Sequence, residues 1–327
     1  MQKAIRSLFG PGQRKGAPEG HPDGDEASFK RIDLERVDLN IYRAPQELLW
    51  RPVFARGVFG GQVLGQALSA VARTVTSKKR LHSMHSYFLR KGDDSKDIIY
   101  LVTRLRDGRA FSSRTVVAQQ DGKAIFILMA SFHIEEAGEQ IERNAPMPSV
   151  PSPEELLDED AHTRSRLQTL LDQQKIPSGV ARRIINAPLA PIEQRYVFPA
   201  GGTTARRVLT FFGIKDEGSA RGFAELDSEV AAAAAVSASN PDARKGSGDG
   251  VSERIVWMRC RRRLPDNPAV HTSVLAYASD MTLLGTARGT SNLTSTMVLA
   301  SLDHSMHFHV PFPRWRAGEP FLSLLHE

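Results

Sequence analysis

The chain has 327 residues, of which 41% are hydrophobic and 24% are charged, and its net charge is +6. This length allows two ordinary domains, each with its own core. No run approaches the roughly 20 apolar residues of a membrane span, and the single cysteine, Cys260, excludes an internal disulfide and a multi-cysteine metal site. The basic balance suits an anionic ligand, but no zinc-finger spacing or aromatic RNA-binding motif indicates a nucleic-acid partner.

The first part of the chain predicts a disordered tail followed by a folded repeat. Residues 1–28 are dominated by Gly, Pro, Asp and Glu, which is typical of disorder. The first repeat is expected to span 29–137, beginning with one or two strands between Ile32 and Tyr42.

A helix is predicted from Gly60 to Val75. Its apolar residues recur at helical spacing on one face: Val63, Leu64, Ala67, Leu68, Val71, Ala72 and Val75. Gly60, Gly61 and Gly65 each cost such a helix about 1 kcal/mol. We therefore expect a backbone or a ligand to approach the helix closely at these glycines.

An antiparallel meander is predicted after this helix. The expected strands are His82–Arg90, Ile98–Arg106, Phe111–Gln119 and Ala124–His133. Asp107-Gly108 and Asp121-Gly122 supply hairpin turns between the last three. A helix against such a sheet is an α+β arrangement.

Residues 138–200 are predicted to connect two repeats. Ser152 and Glu155 have the spacing of a capping box, with Pro153 at the first helical position, and predict a helix that runs to about Asp172. Residues 201–327 are expected to form the second repeat, with a low-complexity insertion at 231–250.

The second repeat is expected to contain its own strand, helix and strand. Ile255–Arg263 predicts a strand, and Asn267-Pro268 predicts the start of a helix. Met297–Phe312 predicts a second strand. Strict alternation there places Leu302 and Met306 on one face.

Two segments repeat each other, because 82–88 read HSMHSYF and 304–308 read HSMHF. This indicates a duplicated unit of one helix and several strands. Fewer residues follow the second copy than the first, so the second repeat is expected to lack about two of its last strands.

Five motifs together resemble the type II acyl-CoA thioesterases, a family that includes bacterial and peroxisomal enzymes. They are FGGQVLGQAL (59–68), HSMHSYFLRKGD (82–93), RDGRAFSSRTV (106–116), LAYASDMTLLGTA (275–287) and SLDHSMHFHVPF (301–312). The resemblance implies a double hotdog fold, two helix-in-antiparallel-sheet repeats in one chain. It also implies hydrolysis of fatty acyl-CoA to free acid and CoA by direct attack of water, with no cofactor and no metal.

The resemblance further implies a catalytic Asp, a Ser or Thr, and a Gln. The Asp falls at Asp280 and the Ser at Ser301. The Gln belongs to a VQEG-like motif in a late strand, and this sequence has no such motif. An active hydrolase therefore competes with a catalytically weak acyl-CoA-binding or interaction protein, and with a truncated gene product.

The sequence alone leaves two interpretations open for each of Asp280 and Ser301. Asp280, placed inside the second helix by its distance from Asn267, is either a base that activates water or a solvated or hydrogen-bonded helix Asp. Ser301 either contacts that water or is an ordinary polar strand residue. Strict alternation puts it on the face opposite Leu302.

The start of the first helix is the predicted substrate-binding site. Gly60 and Gly61 would let the helix N-terminus approach a thioester carbonyl, and Gln62 is a polar candidate beside them. The first repeat has no evident helix Asp and is expected to be structural.

The histidines do not predict a metal site. Only His307 and His309 would share a strand face, and no carboxylate completes a ligand set. His82 and His85 are better explained as strand residues. The family resemblance implies acyl-CoA as the ligand, and a homo-oligomer is the possible partner state. The compartment stays open, because the family includes peroxisomal members but the last residues of this sequence are not Ser-Lys-Leu.

Overall fold

The strands predicted for the first half of the chain are present in the computed structural model, which describes residues 29–52, 55–135, 150–174, 178–187, 189–197, 254–282, 300–309 and 322–326. The strands are β1 (Glu35–Asp38), β2 (Ile41–Ala44), β3 (Lys79–Phe88), β4 (Ile98–Asp107), β5 (Phe111–Gln120), β6 (Lys123–Ile134), β7 (Ile192–Tyr196), β8 (Arg254–Cys260), β9 (Asp303–His307) and β10 (Leu322–His326). The helices are α1 (Gly60–Ala72), α2 (Glu159–Asp172), α3 (Ser178–Ile185) and α4 (Pro268–Ser279), with 3-10 turns at Lys30–Ile32, Gln46–Leu48 and Pro153–Glu155. They form two compact units.

The larger unit contains a seven-stranded antiparallel sheet with the order β1-β2-β4-β5-β6-β3-β9. The predicted hairpin between β5 and β6 turns through Asp121 (φ 48°) and Gly122 (φ 70°). Left-handed conformations at both positions match the right-handed twist of the strands that they join. The alternating apolar residues of these strands bury one face of the sheet.

Helix α1 covers that face, and its apolar side forms the core of the unit. Leu64, Ala67 and Val71 have no exposed surface, and they belong to one cluster with Tyr100 and Leu128 of the sheet. The helical spacing read from the sequence therefore marks the buried face correctly. The helix ends at Ala72, three residues before the predicted Val75.

A buried arginine fixes the far end of α1 to the sheet. The side chain of Arg114 on β5 is 1% exposed, and it donates to the Thr74 carbonyl at 3.0 Å and to Asp107 Oδ1 at 2.6 Å. Cations are favourable at helix C-termini, where carbonyl groups lack helical partners. The Arg114 guanidinium holds the pKa of Asp107 below its usual range.

The two repeated segments pair with each other. Strand β9 lies antiparallel to β3 at the edge of the large sheet, with Met84 opposite Met306 and Ser83 opposite His307. The second repeat thus continues the sheet of the first.

The smaller unit consists of α2, α3 and the sheet β10-β8-β7. Glu193 on β7 is 4% exposed and lies 2.7 Å from Arg259. Arg261 makes two bonds to Asp158, at 2.7 and 2.9 Å. Strand β10 pairs with β8 from Leu322 opposite Met258 onward, so residues near the end of the sequence add a strand to this sheet.

Two predicted elements differ from the observed ones. The capping box at Ser152 is present, but the turn that it starts ends at Glu155, because Leu156 is extended (φ −106°, ψ 151°). A separate helix then begins at Glu159, where the Asp158 side chain accepts from the Asp160 N–H. The predicted tail (1–28) and insertion (231–250) lie outside the described residues, among which no helix is long and apolar enough to span a membrane.

Candidate active site

Glycines bring the start of α1 against the end of α4, within the larger unit. A Cβ at Gly60 would lie 2.8 Å from Asp280 Oδ2, and one at Gly65 would lie 2.8 Å from the Ser273 carbonyl oxygen. At Gly61 the Tyr277 carbonyl oxygen occupies the place that a Cβ would take. The close approach expected from these glycines is therefore made by the backbone of α4 and by the carboxylate that follows it.

Asp280 is the C-cap residue of α4 and not an interior residue, so our placement of it inside the helix was wrong. The helix ends at Ser279, because the Asp280 N–H already bonds to the Ala278 carbonyl in a tighter final turn. Its start is as predicted, since the Asn267 side chain accepts from the Ala269 N–H at 3.0 Å. As a C-cap residue, Asp280 projects beyond the helix and toward the first turn of α1.

The carboxyl group of Asp280 is buried but hydrogen-bonded. The residue is 7% exposed, and its carboxylate accepts from the Ser301 hydroxyl at 3.1 Å and from the Gly61 backbone N–H. Burial raises the pKa of Asp280 to about 6, and the two hydrogen bonds oppose part of that rise. A carboxyl group with such a pKa can accept a proton at neutral pH and release it again.

Ser301 lies close to Asp280 in a segment that precedes strand β9, and this strand begins later than predicted. Residues 300–302 precede β9, which starts at Asp303. Leu302 is 74% exposed, whereas Met306, which strict alternation placed on the same face, is partly buried against the core. The prediction for Leu302 was therefore wrong, and Ser301 is the half-buried residue that contacts the carboxylate.

The predicted substrate-binding residues take different places in this arrangement. Gly60 leaves the space that Asp280 Oδ2 occupies, and the Gly61 N–H bonds to the carboxylate. The Gln62 side chain is fully buried. Its amide donates to the carbonyls of Arg31 (3.0 Å) and Leu48 (2.7 Å), and its oxygen accepts from the Trp50 N–H at 2.8 Å. These bonds tie α1 to the segment that precedes it.

A second bond between α4 and β9 was not predicted. The hydroxyl of Ser279, which is 7% exposed, lies 3.1 Å from His304 Nε2. The sequence places His307 and His309 on one strand face, but no pattern in it links His304 to a helix residue. Phe88 was also missed, and its ring would meet a Cβ on Gly60 at 3.0 Å.

The remaining histidines and the cysteine lie elsewhere. The rings of His307 and His309 stack with centroids 6.5 Å apart, as expected for neighbours on one strand face. Within the described ranges no cluster of three or more His, Cys, Asp or Glu is arranged to hold a metal ion. Burial raises the pKa of the Cys260 thiol well above its ordinary value, which disfavours the nucleophilic thiolate.

Two family models match the chain. The model of the acyl-CoA thioesterase N-terminal domain matches residues 49–133, and the acyl-CoA thioesterase model matches 229–315. Acyl-coenzyme A thioesterase 8 of Mus musculus is 33% identical over 312 residues, which cover 90% of this chain and 82% of that one. Acyl-CoA thioesterase 2 of Haemophilus influenzae is 30% identical over 287 residues, covering 86% and 80%.

Solved structures show the same likeness. An acyl-CoA thioesterase II from Mycobacterium marinum aligns with a TM-score of 0.55 and 29% identity, covering 89% of this chain and 80% of that chain. Repeated helix-and-strand units on antiparallel sheets define a double hotdog protein. With these relatives, the chain belongs to the type II acyl-CoA thioesterase family.

Proposed function

We propose that Asp280 and Ser301 activate the water molecule with which this acyl-CoA thioesterase hydrolyses its substrate to a free acid and CoA. The observation that carries this proposal is the 3.1 Å bond between Ser301 Oγ and Asp280 Oδ1. Both residues were singled out from separate motifs, and the fold brings them together in a buried place.

The chemistry follows from the groups present. The Asp280 carboxylate takes a proton from water as the water oxygen bonds to the thioester carbonyl carbon. The tetrahedral intermediate then collapses, its carbon–sulfur bond breaks, and the CoA sulfur receives the proton from Asp280. A pKa near 6 suits both transfers.

Ser301 orients the water. A serine hydroxyl has one hydrogen and two acceptor lone pairs. Because its hydrogen is directed to Asp280, its lone pairs remain to accept from the water. Asp280 and Ser301 would then hold both water hydrogens, which leaves an oxygen lone pair to attack.

The glycines at the start of α1 support this pair. The Gly61 N–H bonds to the Asp280 carboxylate, and the missing side chain of Gly60 leaves room for Oδ2. We assign Gln62 a structural role, because its amide already bonds to three backbone groups. Direct contact of Gly60, Gly61 or Gln62 with substrate stays a prediction.

A thiol-release assay tests the proposal. The purified chain would be offered medium- and long-chain acyl-CoA beside Asp280→Asn, which keeps the shape but cannot act as a base. Release of CoA should fall about 10²- to 10⁴-fold in the variant. Equal rates in the two proteins would exclude Asp280 as the base.

The competing interpretation, a weak acyl-CoA-binding protein, rests on the absent VQEG-like motif. The named relatives favour the hydrolase, since both are named as acyl-CoA thioesterases and their similarity covers most of this chain. Turnover by the parent chain would show that the pair works without a Gln in that motif. Binding of acyl-CoA without turnover would favour the binder.

We also propose that the chain forms a homo-oligomer. Supporting this, Tyr87, Met129 and Leu89 are 50%, 56% and 48% exposed on or just beyond the adjacent strands β3 and β6. Apolar side chains gathered on one exposed face are typical of association surfaces. Light scattering during gel filtration measures the mass, and a monomer at micromolar concentration would contradict the proposal.

A further inference from the structure

We propose that His304 is a positioning residue that holds the end of helix α4 against strand β9 and thereby keeps Asp280 aligned with Ser301. This inference rests on the proposed function of Asp280 and Ser301. It assigns a role to a histidine that lies outside the catalytic pair.

Two adjacent hydrogen bonds join the end of α4 to β9 and the residues just before it. Ser279 and Asp280 are neighbours at the end of α4, and they bond to His304 (3.1 Å) and Ser301 (3.1 Å) respectively. The Asp280–Ser301 bond fixes one point between the helix end and the segment that enters β9. A second bond one residue away fixes another point.

The direction of the second bond follows from the donors. The Ser279 hydroxyl donates its single hydrogen to the Ala276 carbonyl at 2.9 Å. Its other acceptor neighbour, Met306 Sδ, is weaker and lies at 3.6 Å. With its hydrogen on the Ala276 carbonyl, the hydroxyl accepts from His304, and Nε2 is then the protonated nitrogen. The backbone of His304 is held in turn, because its carbonyl accepts from Ser86 Oγ of β3 at 3.0 Å.

The position of His304 separates it from the other histidines of its strand. His304 is half-buried, whereas His307 is exposed. His307 is three residues along the same strand and stacks on His309. It therefore offers a matched control for the same change.

The test compares His304→Ala, Ser279→Ala, the double variant, His304→Gln and the control His307→Gln. We expect kcat for acyl-CoA to fall about 10- to 100-fold in each single alanine variant with little change in KM, because misplacement by about 1 Å costs that much. The double variant should lose no more than either single one. His304→Gln keeps an N–H donor and should recover part of the rate, and His307→Gln should match the parent.

A second measurement does not depend on turnover. Carbon-13 NMR of labelled aspartate, with Asp280→Asn to assign the signal, follows the Asp280 carboxyl group through its titration. In His304→Ala the loosened helix end admits water, so the pKa of Asp280 should move down. Partial unfolding would instead reduce the Asp280 signal without changing its pKa. An unchanged titration and unchanged kcat would overturn the role of His304, even with an active parent. Failure of the parent to release CoA would count against the proposed function alone.

Discussion

Met84 lies directly opposite Met306 in the β3–β9 ladder, and each is the third residue of an HSMH segment. Ser83 pairs with His307, and His85 with Ser305, so the same exchange occurs on both sides of the methionines. The duplicated segments are thus related by a local two-fold axis through this pair. The sheet joins the repeats at the point where their sequences agree best.

The rate of hydrolysis should depend on pH through Asp280. The base acts in its charged form, and its pKa is raised to about 6. We expect kcat to fall about tenfold per pH unit below 6 and to level off above it. A pH–rate profile measures this, and an acid limb near pH 4 would show that burial does not control the base.

Replacement of Asp280 by Asn should stabilise the fold while abolishing activity. The pKa of this carboxyl group rises from 3.8 to about 6 on folding. The folded state therefore binds the proton more tightly, and the free energy of unfolding decreases as pH rises from about 4 to about 6. We expect Asp280→Asn to lose this dependence and to gain about 2 to 3 kcal/mol at pH 7. Urea titrations at pH 4 and pH 7 measure both effects, and an equal gain at the two pH values would contradict them.

Gly60→Ala should impair catalysis more than folding. The new methyl group would lie 2.8 Å from Asp280 Oδ2 and 3.0 Å from the Phe88 ring, so the carboxylate must move. We expect kcat to fall by about tenfold or more. Gly179→Ala is the matched control, because no atom lies within 4 Å of that position. Comparable rates for the two variants would show that the carboxylate tolerates displacement.

Arg114→Met should destabilise the larger unit. The change leaves the Thr74 carbonyl at the end of α1 without its donor. We expect a loss of about 2 to 3 kcal/mol, because a buried carbonyl is left without its hydrogen-bond donor. Asp107→Asn should cost less, because that carboxylate is 52% exposed and the asparagine oxygen can still accept from Arg114. Chemical denaturation of both variants provides the comparison, and equal losses would contradict it.

The elements with strong local patterns were predictable from the sequence. Val63 and Leu64 lie on the buried face of α1 as their spacing indicates, and Asn267 caps α4 as expected. Resemblance to a known family singled out Asp280 and Ser301. Their partnership could not be derived, because alternation placed Ser301 opposite Leu302 without indicating which face meets the helix.

The failures share a physical cause. The places of Asp280 and Ser301 follow from contacts between residues far apart in sequence, since Asp280 lies against Gly60 and accepts from Ser301. The bond from His304 to Ser279 joins residues 25 apart. Periodicity has no means of reporting such contacts, and it also missed the extended Leu156 that divides a predicted helix.

The contact between Gly61 and Asp280 makes the two halves of the chain depend on each other. The proposed base, Asp280, comes from one half, and the Gly61 N–H that bonds to it comes from the other. Neither half alone could assemble this pocket. The first repeat is therefore required even without a helix carboxylate of its own, because its glycines are the surface on which Asp280 and Tyr277 of the second repeat pack.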